Sequence, residues 1–334
     1  MINKSLTWKN SPFLLKPACK DLLWGGRRLK DNFSKACDMD QLAETWECST
    51  HPDGPSIVNS GTYAGKTLVE LIKSYPEILG NKYKDKGDIP ILIKFIDAQK
   101  DLSLQVHPDD EYARLNENGS MGKTEMWYVV DATEEARLVY GFYHDMDEAV
   151  VRKGLEDGSI EKYLHKVKVE KDDVFFVQAG TVHAIGAGAL MAEIQESSNL
   201  TYRMYDYNRV DKAGNKRELH IDKAMAVANL KSSAKPRQPM RLLKYRAGQA
   251  SEIICRCKYF QVERMLINTE RHRDMATMQT GEETFNVLLC VGGCGTLFSE
   301  NEMLPFLKGD CIFVPANSAV LKIHGQTQLL RISC

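Results

Sequence analysis

The chain has 334 residues, enough to bury one large hydrophobic core or two moderate ones. Its 44 Lys and Arg against 45 Asp and Glu leave a net charge of −1, and no basic run of five or more occurs, which argues against a nucleic-acid partner. No stretch approaches 18 apolar residues, Met1–Trp8 lacks the apolar segment of a secretory signal, and the nine cysteines are scattered; a cytoplasmic protein with reduced thiols and no membrane attachment is expected.

Along the chain, Trp24-Gly25-Gly26 reads as a turn in which glycine supplies backbone freedom beside an aromatic anchor. Thr67 to Leu79 carries apolar residues at 68, 71, 72, 75, 78 and 79, close to helical spacing. In Pro90-Ile91-Leu92-Ile93-Lys94-Phe95-Ile96-Asp97 the lysine alternates with Leu92 and Ile96. It reads as an edge-strand lysine whose head reaches water, with a second pocket cation as the alternative.

Leu102-Ser103-Leu104-Gln105-Val106-His107-Pro108 comes next. Period-two alternation puts Ser103, Gln105 and His107 on one face and Leu102, Leu104 and Val106 on the other. Pro108 has no N–H for a ladder and ends the strand. A short helix is expected from Asp109 to Asn116. In Gly122-Lys123-Thr124-Glu125-Met126-Trp127-Tyr128-Val129-Val130, Lys123 and Glu125 share a face and lead into residues that want burial. A buried carboxylate needs a cation or a metal beside it. Another helix is expected from Asp145 to Asp157. Val174 to Ile185 then reads as a strand, a glycine turn and a second strand opening on His183. Gln105, His107, Glu125 and His183 make a donor set suited to one divalent ion, zinc fitting without excluding iron, manganese or cobalt. Glu193 shares a strand face with Gln195 and Ser197, and Tyr202, Tyr205 and Tyr207 read as wall packing. Ile221 to Leu230 reads as a helix, and residues 231–240 as a polar, proline-bearing linker.

The remainder has short β-rich runs divided by turn residues. It also holds a weak internal repeat: Lys171-Asp172-Asp173-Val174-Phe175-Phe176-Val177-Gln178-Ala179-Gly180 is similar to Lys308-Gly309-Asp310-Cys311-Ile312-Phe313-Val314-Pro315-Ala316-Asn317. Continuing it sets Val320 opposite His183, and a second overlay, with another offset, sets Glu283 opposite Glu125. His272 and His324 read as ordinary loop or strand residues.

Taken in order, Trp24-Gly25-Gly26, Glu44-Thr45-Trp46-Glu47, the Pro90–Asp97 run, the segments bearing His107, Glu125 and His183, Glu193–Asn199 and Thr201–Tyr207 resemble the type I phosphomannose isomerases in their short bacterial form. The resemblance implies zinc on His107, Glu125 and His183 with Gln105 as fourth ligand, Arg203 in the active site and Lys123 in the substrate pocket. Longer members carry a lysine shortly after that arginine, where this chain reads Asp206-Tyr207-Asn208-Arg209.

The expected architecture is mainly β, with two jelly-roll (cupin) barrels and helical insertions in the N-terminal half. Residues 1–232 would form the metal-bearing catalytic domain, with one zinc per chain, and residues 241–334 a cupin-like domain without a metal site. The expected activity interconverts D-mannose 6-phosphate and D-fructose 6-phosphate through an enediol, in a monomer or weak homo-oligomer. Arg203 would grip a phosphate or enediolate oxygen. Lys123 would bind phosphate or shuttle a proton, and Ser103 would donate a hydroxyl to the phosphate. Glu193, Lys123 and a metal-bound hydroxide remain open as the base. A structural reading of Arg203 is an ion pair with Asp206. A non-catalytic phosphosugar-binding cupin, and another metal-dependent cupin enzyme such as a dioxygenase or sugar epimerase, remain the alternatives.

Overall fold

The computed structural model describes residues 10–211, 213–233, 242–300 and 302–334; Met1–Trp8 and residues 234–240 of the expected linker lie outside the described residues. Within them the chain divides into two units, neither continuous in sequence. One comprises residues 19–46 and 91–233, the other residues 10–18, 47–90 and 242–334. The expected continuous domain of residues 1–232 is therefore divided. The reason is strand pairing: Phe13–Lys16 runs antiparallel to Cys311–Val314 and to Ile57–Val58, so early residues complete a sheet built mostly from late ones.

The unit holding the candidate ligands is built on two sheets. The first runs Val174–Val177, Glu125–Ala132, Ala189–Glu196, Ile91–Asp97, Glu44–Cys48 and Ala18–Lys20; the second runs Tyr202–Tyr205, Leu104–Val106, His183–Ile185, Arg137–Phe142 and Leu164–Lys168. Alternation sends every second side chain inward, where Trp127, Val129, Met191 and Ile96 of the first sheet cluster with Leu138 and Ile185 of the second. Behind the second sheet, Val106, Val139, Ala184 and Met204 pack under Val151 and Leu155 of the helix Glu148–Asp157 and Ala224 of the helix Ile221–Val227. Truncating a core side chain as large as Trp127 costs about 3–5 kcal/mol, so these layers hold the inward residues in place.

Three local readings change in the folded chain. The ladder of the Gln105 strand is only Leu104–Val106, so Ser103 and His107 flank it, although both are buried. Lys94 is not an edge residue: its strand lies between Ala189–Glu196 and Glu44–Cys48, and its side chain is buried. Gly25 and Gly26 serve close approach, because a Cβ would fall 2.7 Å from Ala43 Cβ and 2.3 Å from Asp97 Oδ2, respectively. That approach lets Asp97 accept from the Arg28 backbone N–H at 2.8 Å and Nε at 2.7 Å, while the guanidinium donates to Gly188 O at 3.0 Å and Ala189 O at 2.8 Å.

The other unit carries a ten-stranded sheet in which Asn286–Phe298 and Leu321–Ser333 pair along their length. Phe13, Phe313 and Phe285 stack at 5.2 and 5.0 Å. The expected Thr67–Leu79 helix is two pieces, Leu68–Ser74, capped by Thr67 and Glu70, and a tighter turn at Pro76–Leu79. Proline at 76 keeps Tyr75 from helical geometry.

The internal repeat is visible in the backbone. Asp172 and Gly309 both have positive φ, as do Gly180 and Asn317, at matching places before and after the strands Val174–Val177 and Cys311–Val314. Strand register, however, pairs Val177 with Glu125 and Val314 with Asn286. The counterpart of Glu125 is therefore Asn286, not Glu283, and its Oδ1 accepts from Arg331 Nε.

Asp97 is 1% exposed and holds both the backbone N–H and Nε of Arg28, so Asp97→Ala would remove these two bonds and leave the guanidinium on the Gly188 and Ala189 carbonyls. The expected loss is roughly 3 kcal/mol, measured by urea unfolding followed by tryptophan fluorescence. A midpoint equal to that of the parent chain would remove Asp97 from the account of the fold.

Candidate metal centre

The inner layer between the two sheets of the first unit changes from apolar to polar at one end. Directly paired residues in an antiparallel ladder share a face. On the first sheet, Glu193 pairs with Lys94 and Trp127, and Gln195 with Leu92 and Glu125. On the second, Arg203 pairs with Gln105, Gln105 with His183 and His183 with Tyr140. Two rows of chemistry-bearing side chains thus come from opposite sheets.

They meet at His107, Glu125 and His183, all fully buried, each offering a ligand atom within 4.8 Å of the others. Glu125 Oε2 lies 3.5 Å from His107 Nε2, and Oε1 lies 3.4 Å from His183 Nε2. His183 Nδ1 is 2.8 Å from the Thr181 carbonyl, which accepts its proton and leaves the Nε2 lone pair aimed inward. Gln105 Nε2 sits 3.4 Å from His183 Nε2; turning the amide over puts its oxygen there, as a ligand requires. Lys123, just before the Glu125 strand, brings its ammonium 3.0 Å from Glu125 Oε2 and 3.1 Å from His107 Nε2.

Burial dominates the electrostatics. It pushes His107 well below the usual imidazole range, helped by Lys123, and pushes His183 down to about 4. Both rings are neutral at pH 7, as ligands must be. Burial raises Glu125 to about 7 against the opposing pull of Lys123. Its Oε1 is buried without a hydrogen-bond partner. A divalent cation would satisfy that oxygen and hold the group ionised. Two neutral imidazoles and one carboxylate fit zinc.

Beside the centre is an arrangement the sequence reading missed. Lys94 Nζ lies 3.2 Å from Glu193 Oε1 and 3.7 Å from Glu44 Oε2; Trp127 Nε1 donates to Glu193 at 3.0 Å and Trp46 Nε1 to Glu44 at 2.8 Å. Burial alone would raise Glu193, but Lys94 and Lys123 hold it below its usual value, so it is an ionised carboxylate. The signal was present, since a lysine inside Ile-Leu-Ile-Lys-Phe-Ile is deeply buried only when a carboxylate meets it.

Arg203 donates from Nη1 to the Glu218 carbonyl at 2.8 Å, and its Nε is buried without a partner. Asp206, the partner expected on a purely structural reading, is gripped instead by Arg209 and Arg217. Arg209 is thereby committed to Asp206 and to the Asp101 carbonyl. Ser103 is buried beside the Gln105 strand.

Comparison with known proteins follows the same line. The family model for the phosphomannose isomerase type I catalytic domain matches residues 13–139, and that for the mannose-6-phosphate isomerase cupin domain matches residues 251–334. Putative mannose-6-phosphate isomerase YvyI of Bacillus subtilis is 36% identical over 327 residues, covering 96% of this chain and 98% of its own. The solved mannose 6-phosphate isomerase from Bacillus subtilis superposes with a TM-score of 0.88 at 35% identity, covering 97% of this chain and 99% of its own. A mannose 6-phosphate isomerase bound with zinc and yttrium shares the fold, with a TM-score of 0.71, 16% identity and coverage of 96% and 99%.

Elemental analysis of purified variants tests the centre. His183→Ala should lose bound zinc, whereas Gln105→Ala should keep it with affinity lowered on the order of 10–100-fold. Equal zinc in His183→Ala and the parent chain would rule out this set of ligands.

Proposed function

The chain belongs to the type I phosphomannose isomerases, and we propose that His107, Glu125, His183 and Gln105 hold one zinc ion per chain while Lys123 and Arg203 work on the sugar phosphate. The activity is that of the family, interconversion of D-mannose 6-phosphate and D-fructose 6-phosphate. The observation that carries the site assignment is the meeting of two neutral imidazoles, a carboxylate and an ammonium at one buried point. When bound, zinc supplies Lewis acidity toward the sugar oxygens.

The reaction moves a proton between C2 and C1 of the open-chain sugar, and negative charge grows on oxygen as the enediol forms. Arg203 answers that charge or the phosphate, because its Nε is unsatisfied and its guanidinium is not spent on Asp206. Lys123 is the group placed to carry the proton at the centre, its Nζ in reach of both His107 and Glu125. Glu193 serves less well as the base: its Oε1 is ion-paired with Lys94, its Oε2 accepts from Trp127, and protonating it would break the Lys94 pair. Its part is to hold Lys94 and Trp127 beside the site. Ser103 offers a hydroxyl to the phosphate from the end of the Gln105 strand.

The jelly-roll reading of both halves draws support from the repeated strand and turn units and from the cupin-domain match in residues 251–334. Nine scattered cysteines suit the reducing cytoplasm.

A coupled assay with mannose 6-phosphate, before and after chelation and zinc return, tests the function. Turnover should vanish with chelator and recover with zinc; undiminished turnover in the zinc-free protein would refute the metal assignment. Arg203→Ala should retain zinc and lower kcat on the order of 100-fold. A variant as fast as the parent chain would remove Arg203 from the chemistry.

A further inference from the structure

The peptide groups on either side of Lys123 each donate to a carboxylate. Thr124 N–H, just after Lys123, donates to Glu196 Oε1 at 2.8 Å, and Gly122 N–H, just before it, donates to Asp110 Oδ1 at 3.2 Å. Lys123 N–H itself donates to the Pro108 carbonyl at 3.0 Å. The three amides around the lysine are therefore anchored to three fixed points. Room is tight, since a Cβ on Gly122 would fall 2.5 Å from the backbone of Asp109 and Asp110.

The two carboxyls also meet each other. Glu196 is fully buried, its Oε2 has no hydrogen-bond partner, and the Asp110 side chain, held on the other side of Lys123 by the Gly122 N–H, raises its pKa. Two carboxyls drawn to the amides on either side of one residue, one of them fully buried, repel each other when both are ionised and are favourable with one proton between them. We propose that Glu196 and Asp110 share one proton and act together as a positioning pair for Lys123, gripping the peptide groups on both sides of it. The inference rests on Lys123 being a working residue of the isomerase site.

Burial pushes Glu196 up to about 8 from its ordinary value of 4.5, with Asp110 adding to the rise. Asp110, from the helix Asp110–Asn116, is the charged group it faces; Thr124 before the Glu125 strand and Ile91, its register partner, bring no charge. The pair thus keeps its proton through neutrality. Between pH 4.5 and 8 the folded chain holds a proton that the unfolded chain has released, so this group's contribution to stability falls as pH rises through that window. Glutamine in its place would accept from Thr124 and donate to Asp110 without titrating.

The test compares Glu196→Gln and Glu196→Ala with the full-length zinc-loaded parent, by kcat and KM for mannose 6-phosphate, zinc content, and melting temperature at several pH values. Glu196→Gln should keep kcat within about threefold, and its Tm advantage over the parent should grow toward pH 8 and level off above it. Glu196→Ala should retain zinc and lose kcat on the order of tenfold with little change in KM. A Tm difference independent of pH, or a glutamine variant as slow as the alanine one, would overturn the pair. Absence of zinc-dependent turnover in the parent itself would instead sink the isomerase reading, while leaving the pH dependence of Tm to judge the pair.

Discussion

A carboxylate and two imidazoles buried between two sheets is the constraint around which this unit is arranged. Burial is the largest cause that drives both histidines neutral and Glu125 toward its protonated form. Only a cation makes such a cluster favourable in the charge state a ligand needs. The lysine beside it supplies one positive charge, and a divalent ion would supply the rest. Cluster chemistry and metal chemistry are the same statement here.

That arrangement imposes a cost on the fold, met by a second polar layer. Glu193 lies one strand step from the centre and is held ionised by Lys94, which Glu44 also meets. Two indole N–H groups complete the set by donating to the two carboxylates. An unpaired charge at this depth would cost several kcal/mol, so each member depends on the others. The same row geometry in the opposite sheet carries Arg203, Gln105 and His183 to one line. Because register is set by alternation, a one-residue slip in either sheet would turn a whole row outward.

The other unit shows what the same strand and turn pattern does without that cluster. Asn286 stands at the register position corresponding to Glu125, and it accepts from Arg331 instead of facing imidazoles. Val320, opposite His183 in the repeat, is half exposed. The turns kept their positive-φ positions while the chemistry was replaced, which separates what the backbone requires from what the site requires.

Local pattern by itself determined the mainly β character, the helix after Pro108 and the strands of the repeat, and it singled out Gln105, His107, Glu125 and His183 as a donor set, whose reading as zinc ligands came from the family resemblance. Each follows from short-range alternation, turn residues and the misfit of a carboxylate in an apolar run. Tertiary structure alone decided that Lys94 is paired inside the sheet, because its partners at 44 and 193 are distant in the chain. It likewise decided that Arg203 is spared from Asp206, that glycines 25 and 26 make room for close approach, and that residues 10–18 and 47–90 join the late strands. All of these depend on which strand edges and carboxylates find one another after the chain closes, and one-dimensional spacing carries no record of that.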